Sequence, residues 1–491
     1  MEQIFEEQNF SEDKLHEECG VFGIFSHNED VALNTYWGLY ALQHRGQEST
    51  GIVVTDGERM KIKKGMGLVA DVFKDGVADL QGYAAIGHVR YSTTGASMPY
   101  NIQPLKVYFD GGNLALSHNG NLTNAGQLRT NLANAGQLRT NLAKEGAVFN
   151  TTVDSEVVLN LIAYSARPTI EERVAEAVNQ IKGAFAILLM TDNKIIAVRD
   201  PYGFRPLVLG KMENGWCVAS ESCAFDLVGA ELVRDVKPGE MIIIDSDNSE
   251  PRSMMWAENK PAKPAHCIFE YVYFARNDSI IDNQSVYDAR IQMGRELAKE
   301  TPDIHPDIVI SVPDSGTPAA IGYAMEAGVP FLEGLTKNRY VGRTFIQPTQ
   351  KQRANAVRLK LNPVRSVVEG KSVVMVDDSI VRGTTSGKIV KLLKEAGARE
   401  VHVCISSPPV TDSCYYGIDT SERKELIAAR CTENEICRYI GADSLHYISL
   451  DGMKRAIDKI DPEGLCCACF SAKYPDNADS VIKAEPESII E

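Results

Sequence analysis

Cys19 combines a nucleophilic side chain with a position from which it could become an amino terminus. It follows an acidic leader, Met1–Glu18, and opens a strand-like apolar run, Cys19–Phe25. An amino-terminal cysteine can use its own α-amino group as the base, because an amine with a pKa of about 7.7–8.0 accepts a thiol proton at neutral pH. A lone cysteine before a strand is more often a buried structural thiol, so the motifs that follow decide between the two interpretations.

Four polar motifs follow Cys19 along the first half of the chain. Their sequences are LQHRGQES (Leu42–Ser49), GHVRYSTT (Gly87–Thr94), SHNGN (Ser117–Asn121) and TTVDSE (Thr151–Glu156). Together with Cys19, in this order, they resemble the class II glutamine amidotransferase domain, an N-terminal-nucleophile hydrolase. The resemblance spans essentially all of residues 19–246 and implies hydrolysis of the side-chain amide of glutamine.

The resemblance assigns to Cys19 the attack on the amide carbon, and it supplies two donors for the resulting oxyanion. These donors are the side chain of Asn119 and the backbone N–H of Gly120. On this interpretation the leader is a propeptide that is removed between Glu18 and Cys19. The alternative is a permanent extension, which would block the amine and leave the hydrolase silent.

Three charged residues are assigned to the glutamine site by the same resemblance. Arg90 is similar to the residue that pairs bidentately with the α-carboxylate of glutamine, and Asp154 is similar to the acceptor of its α-ammonium. Arg45 is similar to a residue that orders the site around the nucleophile, with a surface ion pair as the ordinary alternative. Arg90 or Asp154 alone would indicate only a salt bridge, so these roles depend on the whole ordered set.

A second chemical motif lies at Ser372–Thr385, where an apolar run ends in Asp377 and Asp378 and a glycine loop leads into a helix. Backbone N–H groups at a helix N-terminus bind anions, and paired carboxylates suit ribose hydroxyls and a divalent cation. The run resembles the phosphoribosyl pyrophosphate (PRPP) signature of type I phosphoribosyltransferases. The resemblance adds five loop and helix residues to the PRPP site: Ser379, Arg382, Gly383, Thr384 and Thr385.

A shorter strand-to-loop element, Ile308–Thr317, resembles the pyrophosphate loop of the same family. It adds three residues to the expected PRPP site: Asp314, Ser315 and Gly316. The resemblance also places Ser315 near the metal. It therefore implies Mg²⁺ held by PRPP together with Ser315, Asp377 and Asp378.

Between Glu333 and Glu369 the chain has no acidic residue and eight basic ones. In a chain of net charge −15, this segment is a local attractor for anions. Its part Lys337–Ile346 resembles the flexible loop that closes over PRPP and excludes water, with Lys337 and Arg343 as expected ligands. A nucleic-acid surface is the alternative. It is disfavoured because few aromatic residues are interleaved with the basic residues of this segment.

The two resemblances together imply an enzyme in which glutamine supplies ammonia at Cys19 and ammonia displaces pyrophosphate from PRPP, the committed step of purine synthesis. One departure stands at Asn277, where the family usually has proline, and it brings the rigidity of that loop into question. Two other functions are alternatives, which the PRPP signature and the complete glutamine site respectively disfavour. One is another class II amidotransferase such as glucosamine-6-phosphate synthase, and the other is a non-catalytic regulator that senses PRPP or purine nucleotides.

Eleven cysteines in a chain without an export signal favour thiols, metal ligands or a nucleophile over disulfides. Cys466 and Cys469 form a Cys-x-x-Cys pair, which alone indicates zinc or a redox pair. With Cys267 and Cys414 the set resembles the iron–sulfur subgroup of this family and implies a structural [4Fe–4S] cluster. Zinc and free thiols stay as alternatives, and Cys467 could replace Cys466 as a ligand. Two more cysteines are unassigned, Cys431 and Cys437.

The positions of these motifs predict an α/β chain of two domains. In residues 19–250, strand-like segments alternate with glycine and polar turns, and the resemblance implies the αββα layers of an N-terminal-nucleophile hydrolase. In residues 267–470, continuous apolar runs alternate with long helices, which predicts a doubly wound phosphoribosyltransferase domain with a mainly parallel sheet. The proline-containing stretch 247–266 is expected to be a linker, and residues 471–491 a C-terminal tail.

Composition excludes several classes of protein. A net charge of −15 repels nucleic acid and anionic membranes, and no apolar run approaches the roughly 18 residues of a membrane helix. The acidic leader resembles neither a secretory signal nor an Arg-rich transit peptide. We therefore expect a soluble, cytoplasmic enzyme, to which the resemblance adds purine nucleotides as feedback inhibitors and a homotetramer.

A ten-residue segment occurs twice in tandem, because residues 124–133 and 134–143 are identical. In a continuous helix ten residues turn through about 1000°, roughly 80° short of three turns, so the two copies cannot present the same face to the domain. We expect one copy to dock and the other to protrude.

Overall fold

The computed structural model describes residues 19–91, 98–130, 149–257, 263–338, 361–418 and 423–476. The leader, the second copy of the duplicated segment, most of the basic loop with Arg343, and the end of the tail lie outside these ranges. The described start of the first copy docks on its domain. Asn124 donates to the carbonyl of Gln180 at 2.9 Å, and Leu128 packs against the apolar core.

The first domain is built on two antiparallel sheets that pack face to face, with seven and six strands in the described part of the chain. The first sheet contains, in spatial order, Glu231–Asp235, Val208–Met212, Gly215–Ala219, Gly20–Ser26, Ala84–Arg90, Ser49–Thr55 and Met60–Met66. The second contains Arg252–Met255, Glu240–Asp245, Lys194–Arg199, Gly183–Met190, Gly112–Leu122 and Leu105–Phe109. Side chains such as Val21 and Phe25 meet Ala186 and Leu188 between the sheets.

Helices cover the outer faces of both sheets. Val31–Ala41 and Cys223–Val228, with the short helix Val69–Val72, pack on the first sheet. Glu156–Tyr164 and Ile170–Val178 pack on the second. The αββα arrangement implied by the resemblance is thereby confirmed.

The second domain has a parallel sheet of four strands among the described residues. Their spatial order is Ile308–Ser311, Ser372–Asp377, Glu400–Ile405 and Ser444–Tyr447. Along one strand, Val373 and Met375 enter one apolar cluster while Val374 and Val376 enter the other. Since both faces of the sheet are covered, the strand is apolar at consecutive positions, and the doubly wound fold predicted for this half is confirmed.

Helices surround this sheet on both faces. They are Val286–Glu300, Thr317–Ala327, Arg365–Val368, Thr384–Glu395, Glu433–Ile440, Leu450–Ala456 and Ala468–Ser471. A π-helical turn, Glu270–Phe274, lies at the start of the domain. Within the described ranges, no helix has both the length and the apolar character needed to span a membrane.

The stretch expected to be a linker carries regular structure at both ends. Arg252–Met255 is the edge strand of the six-stranded sheet, and His266–Cys267 pairs in parallel with Leu465–Cys466. The first domain therefore extends beyond residue 250. Pro251 precedes the strand Arg252–Met255 and does not prevent its pairing, because an edge strand tolerates a missing backbone donor. Two further ribbons are Ile280–Ile281 with Gln284–Ser285, and Leu335–Lys337 with Leu361–Pro363.

Candidate active sites

Cys19 lies at the corner where three adjacent strands meet. The strand that it precedes pairs with the strand that ends at Arg90, and that strand pairs with the one that begins after Glu48. The Cys19 thiol is 7% exposed and lies 3.5 Å from the carbonyl oxygen of Tyr91. Burial raises the pKa of this thiol to about 11. The thiol is therefore protonated at neutral pH, and a base is needed to activate it.

The second sheet brings Asn119 and Gly120 to the same region. The strand that carries them is held against the first sheet by His88, whose Nε2 lies 3.0 Å from the carbonyl oxygen of His118. Asn119 is fully buried, and neither atom of its side-chain amide has a hydrogen-bond partner among the described residues. A buried amide without a partner is costly in a folded protein. This geometry fits a donor that is kept for a ligand.

Gly120 occupies a backbone conformation that favours glycine. Its φ is +139°, and a Cβ atom there would overlap the carbonyl oxygen of Ala184 on the neighbouring strand. The SHNGN motif therefore needs glycine for close approach of two backbones as well as for its φ angle.

Arg90 and Asp154 are both buried beside the nucleophile. Arg90 is 2% exposed, and its Nη1 lies 3.4 Å from a carboxylate oxygen of Glu48. Asp154 accepts the backbone N–H of Leu122 at 2.8 Å and that of Ser155 at 2.8 Å. Although burial acts to raise it, the His118 ring holds the pKa of Asp154 below its usual value. The charges of Arg90 and Asp154 both act on the Cys19 thiol, in opposite directions.

Arg45 does not make a surface ion pair. Its side chain is 1% exposed and donates to two carboxylates, Glu221 in its own domain and Glu270 at the start of the second domain. The Arg45 charge holds the pKa of Glu221 well below its usual range, although burial acts to raise it. Arg45 thus joins the two domains. It does so close to Cys19, because a Cβ on the next residue, Gly20, would lie 3.4 Å from Arg45 Cδ.

The second domain places its paired carboxylates at the carboxyl end of a central strand. Asp377 and Asp378 are each 3% exposed, and the N–H of Asp378 donates to Asp377 Oδ1 at 3.0 Å. Asp378 also accepts the hydroxyl groups of Ser379, at 2.7 Å, and of Ser315 from the loop after the adjacent strand. The two motifs are therefore brought together, because parallel strands end at the same edge of the sheet.

The loop after Asp378 leads into the helix Thr384–Glu395. Its last residue, Gly383, caps this helix with φ +80°, and the N-terminal backbone N–H groups of the helix form an anion site. Arg382 pairs with Glu425 at 2.6 Å. On the neighbouring loop, Lys337 pairs with Asp314 at 2.6 Å.

Three buried charged residues that the sequence motifs do not include, Arg205, Glu270 and Arg290, lie at the junction between the domains. Glu270 accepts Arg45 and lies 3.7 Å from Arg205, and Arg290 is 3% exposed on the helix Val286–Glu300. Burial lowers the pKa of Arg290 to about 10, while the charge of Asp378 acts against this. The sequence contains one feature that could have indicated Glu270: it is a lone carboxylate inside the apolar run Cys267–Phe274.

Asn277 has a defined role in the loop where the family usually has proline. Its Oδ1 accepts a hydrogen bond from Arg290 Nη1 at 2.6 Å, and the same guanidinium donates to the carbonyls of Tyr271 and Ala275, both at 2.8 Å. A proline has no side-chain acceptor. The loop is thus fixed by hydrogen bonds around one buried arginine.

Four cysteines lie together near the domain junction, and none of the eleven cysteines, all of which the structure describes, forms a disulfide. Cys267 and Cys466 face each other across a parallel pairing. The pKa of Cys469 is raised chiefly by burial, and the charges of Cys267, Cys414, Cys466 and Cys467 all add to this. The backbone N–H of Tyr416 lies 3.3 Å from the sulfur of Cys414. Among the described residues, no group of three or more His, Cys, Asp or Glu side chains is arranged so that it could hold a metal ion.

The two folds define a glutamine amidotransferase joined to a phosphoribosyltransferase, and comparison with known proteins agrees. A family profile for the glutamine amidotransferase domain matches residues 88–226, and one for the phosphoribosyl transferase domain matches residues 277–433. The amidophosphoribosyltransferase of Bacillus subtilis is 48% identical over 97% of this chain and 98% of its own length. That of Mycobacterium tuberculosis is 49% identical over 94% of this chain and 86% of its own. The chain belongs to the amidophosphoribosyltransferase family.

Solved structures give the same result. The glutamine PRPP amidotransferase of B. subtilis, in complex with ADP and GMP, is 48% identical with a TM-score of 0.85, over 93% of this chain and 97% of that one. A structure described as the allosteric regulatory enzyme of purine biosynthesis is 49% identical with a TM-score of 0.86, over 93% and 96% of the two chains. Family membership supports the enzyme that the sequence favoured over both alternatives.

Proposed function

We propose that this chain catalyses the glutamine-dependent amination of PRPP to 5-phosphoribosylamine, releasing glutamate and pyrophosphate. The observation that carries the proposal is the presence of two complementary sites in one chain. One domain holds a buried thiol and an unpartnered buried amide, Cys19 and Asn119. The other holds the buried pair Asp377 and Asp378 beside the anion-binding start of a helix.

In the glutaminase step, the α-amine freed by removal of the leader takes the proton of the Cys19 thiol. The sulfur then forms a bond to the amide carbon of glutamine, and the carbonyl electron pair moves onto oxygen. Asn119 and the N–H of Gly120 stabilise this oxyanion, while Arg90 and Asp154 hold the α-carboxylate and α-ammonium. Collapse breaks the C–N bond, the protonated amine returns its proton to the leaving ammonia, and water hydrolyses the thioester to glutamate.

In the synthase step, the nitrogen lone pair of ammonia forms a bond to C1 of the ribose, and the C1–O bond to pyrophosphate breaks. Asp377 and Asp378 face the ribose, and the N-terminus of the helix Thr384–Glu395 binds the 5-phosphate. The loop Asp314–Gly316, with Lys337, binds the pyrophosphate. Ser315, Asp377 and Asp378 would hold Mg²⁺ together with PRPP, and the bound ion would neutralise the leaving pyrophosphate.

We also propose that the four cysteines hold a [4Fe–4S] cluster, supported by the resemblance of the set and by the mutual influence of their charges. Each iron of such a cluster takes one thiolate, so four cysteines would be needed to hold it. The N–H of Tyr416 directed at the Cys414 sulfur is a hydrogen bond of the kind that stabilises a bound thiolate. A cluster bound by Cys267, Cys414, Cys466 and Cys469 would crosslink both ends of the second domain, with no part in the chemistry.

We also propose regulation by purine nucleotides and assembly into a homotetramer. The B. subtilis relative was solved with ADP and GMP, and nucleotides share the ribose phosphate that the second domain is built to bind. The helix Val31–Ala41 leaves a row of large apolar side chains, Leu33, Trp37 and Tyr40, 38% to 49% exposed in the single chain, which suits an interface between subunits.

The proposal is tested by measuring glutamine hydrolysis and pyrophosphate release together, with and without PRPP. Cys19→Ala should abolish glutamine use but keep pyrophosphate release from free ammonia at high pH, because the PRPP site has its own residues. Cys431→Ala, which changes a half-buried thiol far from both motifs in sequence, serves as the control and should keep both activities. A folded Cys19→Ala enzyme that loses both activities would contradict the division of labour.

A further inference from the structure

A segment of the second domain reaches the strand that carries the oxyanion donors. The side-chain amide of Asn121 donates to the carbonyl oxygen of Tyr415 at 2.9 Å. A Cβ atom on Gly417 would lie 3.2 Å from the carbonyl carbon of Gly120 and 3.3 Å from its Cα. The backbones of Gly417 and Gly120 thus pack closely together, although the bonded residues beside them, Asn121 and Tyr415, are 294 positions apart in sequence.

The same segment is fixed to the first domain by buried groups. Arg205 is completely buried, and its Nε donates to the carbonyl oxygen of Tyr416 at 3.0 Å. The Tyr416 ring stacks on Phe204, with ring centroids 4.1 Å apart and an interplanar angle of 18°. Hydrogen bonds and stacking therefore hold Tyr415–Gly417 in one position against the first domain.

Gly120 is consequently confined by two backbone segments. A side chain on Gly120 would overlap Ala184, as described above, and Gly417 occupies further space beside it. Oxyanion donors act at about 2.7–3.1 Å and owe their effect to being fixed before the reaction. A shift of the Gly120 peptide by a few tenths of an ångström would weaken its contribution.

We propose that Tyr415–Gly417 positions the oxyanion site of the other domain, with Asn121 and Gly417 as positioning residues. Neither residue is assigned a contact with glutamine, so both act through Gly120. This inference rests on the oxyanion role proposed above for Gly120. If it is right, the rate of glutamine hydrolysis depends on how the second domain docks on the first. The rate of ammonia-dependent synthesis does not depend on this docking.

Gly417→Ala tests the contact directly. Gly417 has φ +110°, so alanine introduces backbone strain as well as a methyl group against Gly120. Gly67→Ala is the matched control, because Gly67 has φ +116° and its nearest neighbour would lie 3.7 Å from the new Cβ, an ordinary contact. We expect Gly417→Ala to lower kcat for glutamine hydrolysis at least about tenfold. The KM for glutamine and the ammonia-dependent synthesis should stay within about twofold, and Gly67→Ala should change none of these values.

Alkylation of Cys19 by iodoacetamide separates the oxyanion site from the nucleophile. Alkylation needs the thiolate but no oxyanion donor, so its rate should be the same in Gly417→Ala and in the unmodified enzyme. Asn121→Leu removes the hydrogen bond to Tyr415 without adding bulk at Gly417. It should give the same selective loss, and it replaces Gly417→Ala in the test if that variant does not fold.

The outcomes separate this inference from the proposed function. Equal loss of glutamine hydrolysis in Gly417→Ala and Gly67→Ala would overturn it, as would a parallel fall in ammonia-dependent synthesis or in Cys19 alkylation. An unmodified enzyme that does not hydrolyse glutamine would instead refute the proposed function.

Discussion

Burial governs the chemistry of Cys19. With its thiol pKa raised to about 11, only about one thiol in a thousand is ionised near pH 8. We propose that the leader is removed, so that no free α-amine acts on the Cys19 sulfur before its removal. On the proposal that the leader is a propeptide, it keeps Cys19 inactive by blocking the α-amine that the buried, protonated thiol needs as its base.

The pH dependence of Cys19 alkylation should therefore change when the leader is removed. In the chain that retains the leader, the iodoacetamide rate at Cys19 should rise with pH until about pH 11, the thiol pKa in this environment. A chain that begins at Cys19 should react faster near pH 8, because a neighbouring α-ammonium favours the thiolate. Mass spectrometry of the Cys19 peptide measures both rates. Two profiles with the same midpoint near 8.5 would contradict the argument.

At the scale of an element, the loop between the strand Ser372–Asp377 and the helix Thr384–Glu395 depends on Gly383. This residue has φ +80° and caps the helix. A Cβ there would lie 3.1 Å from Ile427 Cδ1 and 3.3 Å from the ring of Tyr439. The space around the loop leaves little room for a side chain to be added without moving the helix N-terminus.

Gly383→Ala should raise the KM for PRPP about tenfold or more, because the phosphate-binding N–H groups would shift with the helix end. Gly441→Ala is the matched variant. Gly441 has φ +72° at the end of the helix Glu433–Ile440, with open space around the new Cβ. Both variants should lose about 1–2 kcal/mol of stability from the left-handed backbone, yet Gly441→Ala should keep its KM. Steady-state kinetics decide, and equal KM values in the two variants would contradict the role of Gly383.

At the scale of the whole molecule, a buried charge network joins the two domains. Arg45 connects Glu221 of the first domain to Glu270 of the second, and Arg205 approaches Glu270 from the first domain. Removing one member of a buried ion pair leaves an uncompensated charge, which costs several kcal/mol. The network therefore links the stability of the domain junction to the surroundings of Cys19.

Glu270→Gln should lower the free energy of unfolding by about 3 kcal/mol, because Arg45 loses one of its two charged partners. Glu250→Gln removes the exposed pair between Glu250 and Lys211, 3.2 Å apart, and should change stability by less than about 1 kcal/mol. Denaturant unfolding at neutral pH compares the two. A Glu270→Gln enzyme as stable as Glu250→Gln would show that the network contributes nothing to the junction.

The cluster proposed at the domain junction gives a second prediction at this scale. Anaerobically purified protein should be brown and contain about four irons per chain when the centre is fully loaded. Cys469→Ser should lose the colour and fold poorly, whereas Cys437→Ser, at a cysteine outside the set, should keep the iron. Metal analysis that finds one zinc and no iron would refute the cluster.

The sequence alone was sufficient to predict the fold of each domain and to identify the motifs that could carry its chemistry. A strand, a loop and the start of a helix that are adjacent in sequence, as in Ser372–Thr385, stay adjacent in space, so their residues can be interpreted together. A strand that is buried on both faces of its sheet is likewise apolar at consecutive positions, as in Val373–Val376, and this pattern is visible in the sequence. Gly120 was assigned through the resemblance of its motif, and its φ of +139° explains why glycine stands there.

Only the tertiary structure decided how the two halves meet. It placed Arg45 between carboxylates of both domains, where the sequence also allowed a surface pair, and it set Asn277 against Arg290. It also brought Gly417 into contact with Gly120. Contacts of this kind leave no periodicity or spacing in the sequence, because they depend on the docking of two separately formed cores and join residues that are remote along the chain.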